Sequence, residues 1–262
     1  MKTEIIYFSA TGTTKAIVTA ISKGLKGKVL FTDITLPDKR KNVITVDSDL
    51  VIIAIPVYGE RIPHFLFDYI KQLQGNGTPL AAVSVYGNMG FGISLEQFKN
   101  FAERNNFRLI AAGAFIGQHT YASEKAPVAY GRPDGQDIQQ AGLFAESIQK
   151  KIDMGKFTCP EIPKCMLPGF ITEFPDSGTR FLIRQPRIYG TSCNSCRVCV
   201  QKCPVGAIDR ETLKISENKC LRCYACVKVC PKAARTARLR LSFFRTIFYH
   251  AGRKRKKDQT FL

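Results

Sequence analysis

Two periodicities alternate along the first part of the chain. Glu4–Phe8 is a short apolar run of strand type, and Thr13–Lys26 follows it with Ile17, Ile21 and Leu25 on one face and Val18 beside them, the repeat of an amphipathic helix. Four more apolar runs, Val29–Thr32, Leu50–Ile55, Leu80–Val85 and Leu109–Ile116, predict strands. Pro63–Leu73, Leu95–Asn105 and Asp137–Ile152 predict helices, the last with Asp134 as N-cap and Asp137 in its first turn. Five strands alternating with helices over residues 1–152 predict a doubly wound α/β domain with a five-stranded parallel sheet.

The pattern then breaks. Residues 153–187 carry Pro160, Pro163, Pro168, Pro175 and Pro186 among scattered aromatics, the composition of an ordered connector that packs across its neighbours. Residues 188–236 hold eight of the ten cysteines and predict a small α+β module. Residues 237–262 interleave Lys and Arg with Leu239, Leu241, Phe243, Phe244, Ile247, Phe248 and Tyr249, and predict a basic amphipathic helix ending in a mobile charged run, Arg253–Lys257.

The cysteines fall in two copies of one spacing. Cys193, Cys196, Cys199 and Cys203-Pro204 are matched by Cys220, Cys223, Cys226 and Cys230-Pro231 at a constant offset of 27. Three thiolates two residues apart wrap one face of a [4Fe-4S] cubane while backbone N–H groups point at its sulfides, and the fourth thiolate comes from elsewhere. By the rule for paired clusters, the fourth cysteine of each run serves the other centre. One ligand set is then Cys193, Cys196, Cys199 and Cys230, and the second is Cys220, Cys223, Cys226 and Cys203. Structural zinc fits less well, because it uses two Cys-x2-Cys pairs per tetrahedral ion. Disulfides fit least, since Met1–Ser9 lacks the apolar core of a signal peptide and no run is long enough to span a membrane. A cytoplasmic, well-reduced and anaerobic setting is the expectation. Cys159 and Cys165 complete no ligand set and are expected as free thiols.

Charge sharpens the division. The formal net charge is +18; residues 1–150 hold 16 Lys+Arg against 13 Asp+Glu, and the remainder 23 against 8. The basicity therefore belongs to the cysteine-rich half, and it survives the negative charge that two thiolate-ligated clusters would add. It points to an acidic redox protein as partner, with Arg180, Arg184 and Arg187 as candidate docking groups or an ordinary solvated face. The tail is also suited to an anionic membrane surface; no nucleic-acid motif accompanies it, so nucleic acid is not expected.

Between the first strand and first helix lies Ser9-Ala10-Thr11-Gly12-Thr13-Thr14. Hydroxyls at Ser9, Thr11, Thr13 and Thr14, a close-approach glycine and unpaired helix N–H groups suit a phosphate, with a threonine-rich N-cap as the plain alternative. Neither a G-x-x-x-x-G-K-[ST] nor a G-x-G-x-x-G pattern occupies this position. Ser9-x-Thr11-Gly12-x-Thr14 resembles the FMN-phosphate loop of flavodoxins, and with the cysteine repeat the chain resembles flavodoxin–ferredoxin fusion proteins of anaerobic bacteria. That resemblance implies a flavodoxin-like fold, FMN, and two ring-binding loops: Pro56-Val57-Tyr58-Gly59-Glu60, and Tyr86-Gly87-Asn88-Met89-Gly90-Phe91-Gly92. Tyr58 and Tyr86 would stack on the ring, and Gly59, Gly87, Asn88, Gly90 and Gly92 would let the backbone approach its polar edge. The chain has no Trp and its first domain is mildly basic, both unlike many flavodoxins.

Three functions follow. The chain is an electron carrier linking one-electron protein donors through two [4Fe-4S] clusters to FMN, or an FMN-dependent reductase of a small substrate with His119 or Tyr121 as proton donor, or a binding protein with a degenerate flavin loop.

Overall fold

The computed structural model describes residues 1–42, 45–124, 126–172, 180, 183–236, 240, 246, 249–250, 252 and 254–262. The expected alternation is present: β1 (Lys2–Tyr7), α1 (Thr13–Lys23), β2 (Lys28–Asp33), a 3-10 turn (Pro37–Arg40), β3 (Leu50–Pro56), α2 (His64–Ile70), β4 (Pro79–Tyr86), α3 (Ser94–Arg104), β5 (Arg108–Ile116) and α4 (Gly135–Asp153). β1 to β5 are parallel in the order β2-β1-β3-β4-β5. β3 reads as an unbroken apolar run, and all seven of its residues are buried because helices cover both faces of the sheet. On one face α2 and α3 contribute Leu66, Ile70, Phe98 and Phe101; on the other α1 and α4 contribute Ile17, Ile21, Phe144 and Ile148.

α1 stops at Lys23, short of the expected Lys26, and Gly24 follows it. A Cβ at Gly24 would lie 2.8 Å from the Ala145 Cβ, so the bare glycine permits the close approach of α1 and α4. Asp134 caps α4 as expected, accepting from the Gln136 and Asp137 N–H groups, while the Asp137 carboxylate accepts from the Asp134 N–H.

The sheet differs from expectation at its edge. It has six strands, not five: β8 (Gln259–Phe261) lies antiparallel beside β5, pairing Ala112 with Phe261 and Ala114 with Gln259. Residues 254–258 before it form a strap and not a free end. Arg255 forms a bidentate ion pair with Asp134 at 2.6 and 3.1 Å, and the Asp258 carboxylate accepts from the Ile116 N–H at 2.7 Å. The buried Arg132 guanidinium pairs with Asp137 and donates to the Lys256 carbonyl at 3.0 Å. The amphipathic-helix expectation for residues 237–253 falls mostly outside the described residues.

After α4, the connector touches both halves. The Cys165 N–H donates to the Glu96 carboxylate at 2.7 Å, and Gln185 donates to the Ile215 carbonyl at 3.0 Å. A one-turn helix, α5 (Gly169–Thr172), receives Arg61 at the Thr172 carbonyl. The cysteine module contains β6 (Arg187–Ile188), α6 (Val198–Gln201), α7 (Ala225–Lys228) and β7 (Arg235–Thr236), with β6 and β7 antiparallel. Its buried apolar residues are few and mostly small: Cys203, Ala207, Ile208, Leu213, Ala225, Cys226 and Ala234 among those described.

Candidate redox site

The duplicated sequence is duplicated in backbone. Ser195 and Arg197 precede α6 in the left-handed region, and Arg222 and Tyr224, 27 positions on, precede α7 in the same conformation. Gly206 and Ala233 match likewise. Non-glycine residues at positive φ cost about 1 kcal/mol or more each, so the surroundings enforce the turn that curls each run about a centre.

Two cavities result. One is lined by Cys193, Cys196, Cys199 and Cys230, the other by Cys203, Cys220, Cys223 and Cys226. Each therefore gathers three cysteines of one run and the last of the other. Among the described residues no three His, Cys, Asp or Glu side chains converge as a single-ion site would require. Zinc would need its sulfurs about 2.3 Å from one point, whereas a cubane spreads its thiolates apart. Burial pushes the Cys223 and Cys226 thiols up to about 12. Burial also acts on Cys230, but N–H groups of Arg235, Lys232 and Ala234 outweigh it and hold that thiol below the usual range. The donor set suits iron–sulfur centres, whose positive iron offsets the cost of buried thiolates.

The cavities have different walls. Arg197, Lys232 and Arg235 stand around the first, where Arg235 is buried, donates to the Leu213 carbonyl at 2.9 Å and lies 3.8 Å from the Cys199 sulfur. The second is walled by Pro186, Pro204, Val205, Ile208, Ile215 and Leu221, with Tyr224 and no charged side chain. Arg222, fully buried beside it, pairs with Glu217 through one nitrogen, and its Nε and Nη1 have no hydrogen-bond partner among the described residues.

The second cavity faces the carboxyl ends of the parallel strands, where open α/β sheets bind ligands. Tyr224 meets Tyr121 edge to face with centroids 4.9 Å apart, and Tyr121 meets His119 at 5.3 Å. Burial raises the Tyr58 phenol well above its ordinary value, with Cys223 and Tyr121 as charged-form neighbours adding to it. Burial and nearby Lys228 press His119 down to about 4, so its imidazole is neutral at neutral pH; its Nδ1 accepts from the Tyr121 N–H at 3.2 Å. Arg40, unremarkable in the sequence, ties the halves together. Its guanidinium lies over the Phe8 and Phe65 rings at 5.8 and 5.3 Å and donates to the Thr35 carbonyl at 2.8 Å and the Pro204 carbonyl at 2.6 Å.

The loop between β1 and α1 has the features of a phosphate cradle. Gly12 caps α1 at φ +93°, and the space around its missing Cβ is open. Thr14 is buried, yet its hydroxyl has no partner among the described residues, an orphaned donor at a helix start. Ser9 is fixed at both ends: its N–H donates to Thr35 Oγ1 at 2.9 Å and its hydroxyl accepts from the Lys15 N–H at 3.0 Å. Thr11 is half-buried, as is Thr13, whose Cβ abuts Gly117. These residues fit the phosphate of FMN.

The expected ring loops are placed unevenly. Gly59, at φ +61°, opens onto empty space beside half-buried Tyr58, while Pro56 and Val57 continue the edge of β3, the Val57 N–H bonding the Val85 carbonyl. Tyr86 is not at the surface: it is 3% exposed in the core, edge to face with Phe91, because β4 runs one residue further and turns this side chain inward. A Cβ at Gly87 would collide with the His119 ring, and one at Gly90 or Gly92 with Glu60, so these glycines serve loop-to-loop packing. Asn88 is taken up by the strap: its amide nitrogen donates to the Gly252 and Lys254 carbonyls at 3.1 and 2.9 Å and its oxygen accepts from the Lys256 N–H at 3.3 Å. No local sequence signal marks the Arg40–Pro204 contact or the strap contacts, since the joined residues lie more than a hundred positions apart.

A doubly wound sheet with a hydroxyl-bearing helix start, joined to crossed cysteine-lined cavities, defines a redox protein of the flavin and iron–sulfur class. Residues 4–119 match the family model of the flavodoxin domain and residues 185–231 that of the 4Fe-4S dicluster domain, so the chain carries a flavodoxin domain followed by a dicluster domain, the arrangement of a flavodoxin–ferredoxin fusion. Similar solved structures include a flavodoxin from the domain Archaea (15% identity, TM-score 0.44, covering 58% of this chain and 99% of that one) and flavodoxin 2 of Bacillus cereus (15%, 0.45, 58% and 99%). The rubredoxin oxygen:oxidoreductase of Desulfovibrio gigas is similar at 14% identity and TM-score 0.41, covering 58% of this chain and 36% of that one. No curated protein sequence matches the chain.

Proposed function

We propose that the chain carries electrons between a one-electron protein partner and FMN by way of two [4Fe-4S] clusters, held by Cys193, Cys196, Cys199 and Cys230 and by Cys220, Cys223, Cys226 and Cys203. An iron–sulfur centre supplies single-electron transfer, and a flavin holds one electron or two. The observation that carries this reading is the packing of Tyr224, next to Cys223, on Tyr121 at the ligand-binding edge of the sheet. It supports the second cluster as the one nearest the flavin. Ser9, Thr11, Gly12, Thr13 and Thr14 would hold the phosphate, with Tyr58 and Gly59 at the ring. Arg40 and the Tyr121–Tyr224 contact keep the two halves in register and exclude water between them.

The reductase reading asks for an open pocket at His119 and Tyr121. Instead Tyr121 stacks between His119 and Tyr224, and the Lys228 charge acts on His119, which favours the carrier. Anaerobically purified protein should contain about eight iron, eight sulfide and one FMN per chain. With a limiting one-electron reductant, cluster bleaching should precede flavin bleaching, and Tyr224→Ala should slow the second phase while Tyr224→Phe leaves it unchanged. Flavin reduction at the same rate in protein stripped of its iron would overturn the proposal.

A further inference from the structure

The two cysteine-lined cavities are not equivalent in access. The second is covered by the flavodoxin half: Arg40 grips the Pro204 carbonyl, Tyr121 lies against Tyr224, and Gly206 stands next to Pro37. The first points away. Cys196 is exposed, the only exposed cysteine among the eight, and Asn194, Ser195 and Arg197 around it are exposed as well. Arg197 and Lys232 stand at the cavity wall, both exposed, with Arg235 buried behind the Cys199 sulfur and exposed Arg187 next to wall residue Ile188. Exposed Tyr189 adds an aromatic ring to this rim. Residues 185–236 hold ten Lys or Arg against three Asp or Glu, so positive charge outlasts the roughly four negative charges of two oxidised clusters.

We infer that the face around Cys196, rimmed by Arg187, Arg197 and Lys232, is the docking surface for an acidic protein that presents a one-electron centre of its own. The inference rests on the proposed carrier function and adds the site of exchange and the sign of the partner. One electron passes between the partner's centre and the first cluster, leaving one oxidised and the other reduced by one; no atom is transferred. Cationic groups at this rim raise the encounter rate with an anionic surface and fade with salt. The apolar wall of the second cavity offers no such attraction, and its covered position denies a partner contact. Electrons thus enter or leave at the far end of the module and meet the flavin at the near end.

The test uses the full chain loaded with iron, sulfide and FMN. Stopped-flow reduction by a reduced plant-type [2Fe-2S] ferredoxin, whose surface is acidic, should slow about tenfold or more from low to high ionic strength. R187E and R197Q/K232Q should slow it comparably at low salt, and reduction by methyl viologen radical, a small cation, should not slow. If a variant loses iron, the salt dependence of the unaltered chain decides the question alone. A salt-independent rate with ferredoxin overturns the inference, as does binding of the face to phosphatidylglycerol-rich vesicles that R187E abolishes while ferredoxin reduction continues unchanged. Cluster bleaching without flavin bleaching would instead sink the carrier function and leave the docking surface standing.

Discussion

At the scale of single residues, Thr14 and Arg40 carry opposite lessons. The Thr14 hydroxyl is buried without a partner, and such a group costs about 1–3 kcal/mol until something satisfies it. Thr14→Val should therefore raise the melting temperature of flavin-free protein while weakening FMN binding roughly tenfold or more, because a hydrogen bond to a charged group is lost. Thermal melts of flavin-free protein and flavin fluorescence titration check the two halves; a variant that lowers both stability and affinity refutes the reading. Arg40 is placed by contacts to three segments. Arg40→Met keeps the apolar stem over Phe8 and Phe65 but removes the donor to Pro204. Hydrogen exchange at residues 204–207 should accelerate, and flavin bleaching should lag further behind cluster bleaching.

Secondary-structure elements were legible wherever periodicity is local. All five parallel strands and four long helices lie within a few residues of their expected bounds, and Asp134 caps α4 through a signal contained in four consecutive residues. The constant offset of the cysteine runs has a local counterpart in the backbone, where Ser195 and Arg197 share the left-handed conformation of Arg222 and Tyr224. β8 was not legible, since three residues, Gln259-Thr260-Phe261, carry no period and their partner strand is distant. Tyr86 lies in the core because β4 runs one residue past the expected Val85, so this side chain follows the alternation of the strand and not the turn of a loop.

The strap also titrates. Burial pushes Asp258 up to about 6, the nearby Asp137 carboxylate adds to this, and Arg132 and the Ile116 N–H oppose it. Because the folded value exceeds the unfolded one, near 3.8, this group's contribution is full below about pH 4 and is lost as pH rises through 6. Asp258→Asn, which keeps the acceptor for Ile116, should flatten that loss, so its melting temperature relative to the parent should climb from pH 5 to 7.

For the whole molecule, the contrast between two large apolar layers and the few, mostly small, buried residues of the cysteine module is decisive. A segment this small rests on its inorganic centres for order. Stripping iron by oxidation under chelation should make amides of residues 193–230 exchange rapidly while those of β3 and β4 stay protected. Retained protection across the module after iron loss would show that protein contacts alone suffice.

The return of the chain to the edge of β5 sets an order of assembly. Ala112 cannot meet Phe261 until both cysteine runs have left the ribosome, and so long a loop closes late. Iron delivery to the thiols thus has a window before the seam is sewn shut, and the last stitch of the flavin-binding half is made by residues that follow its electron supply.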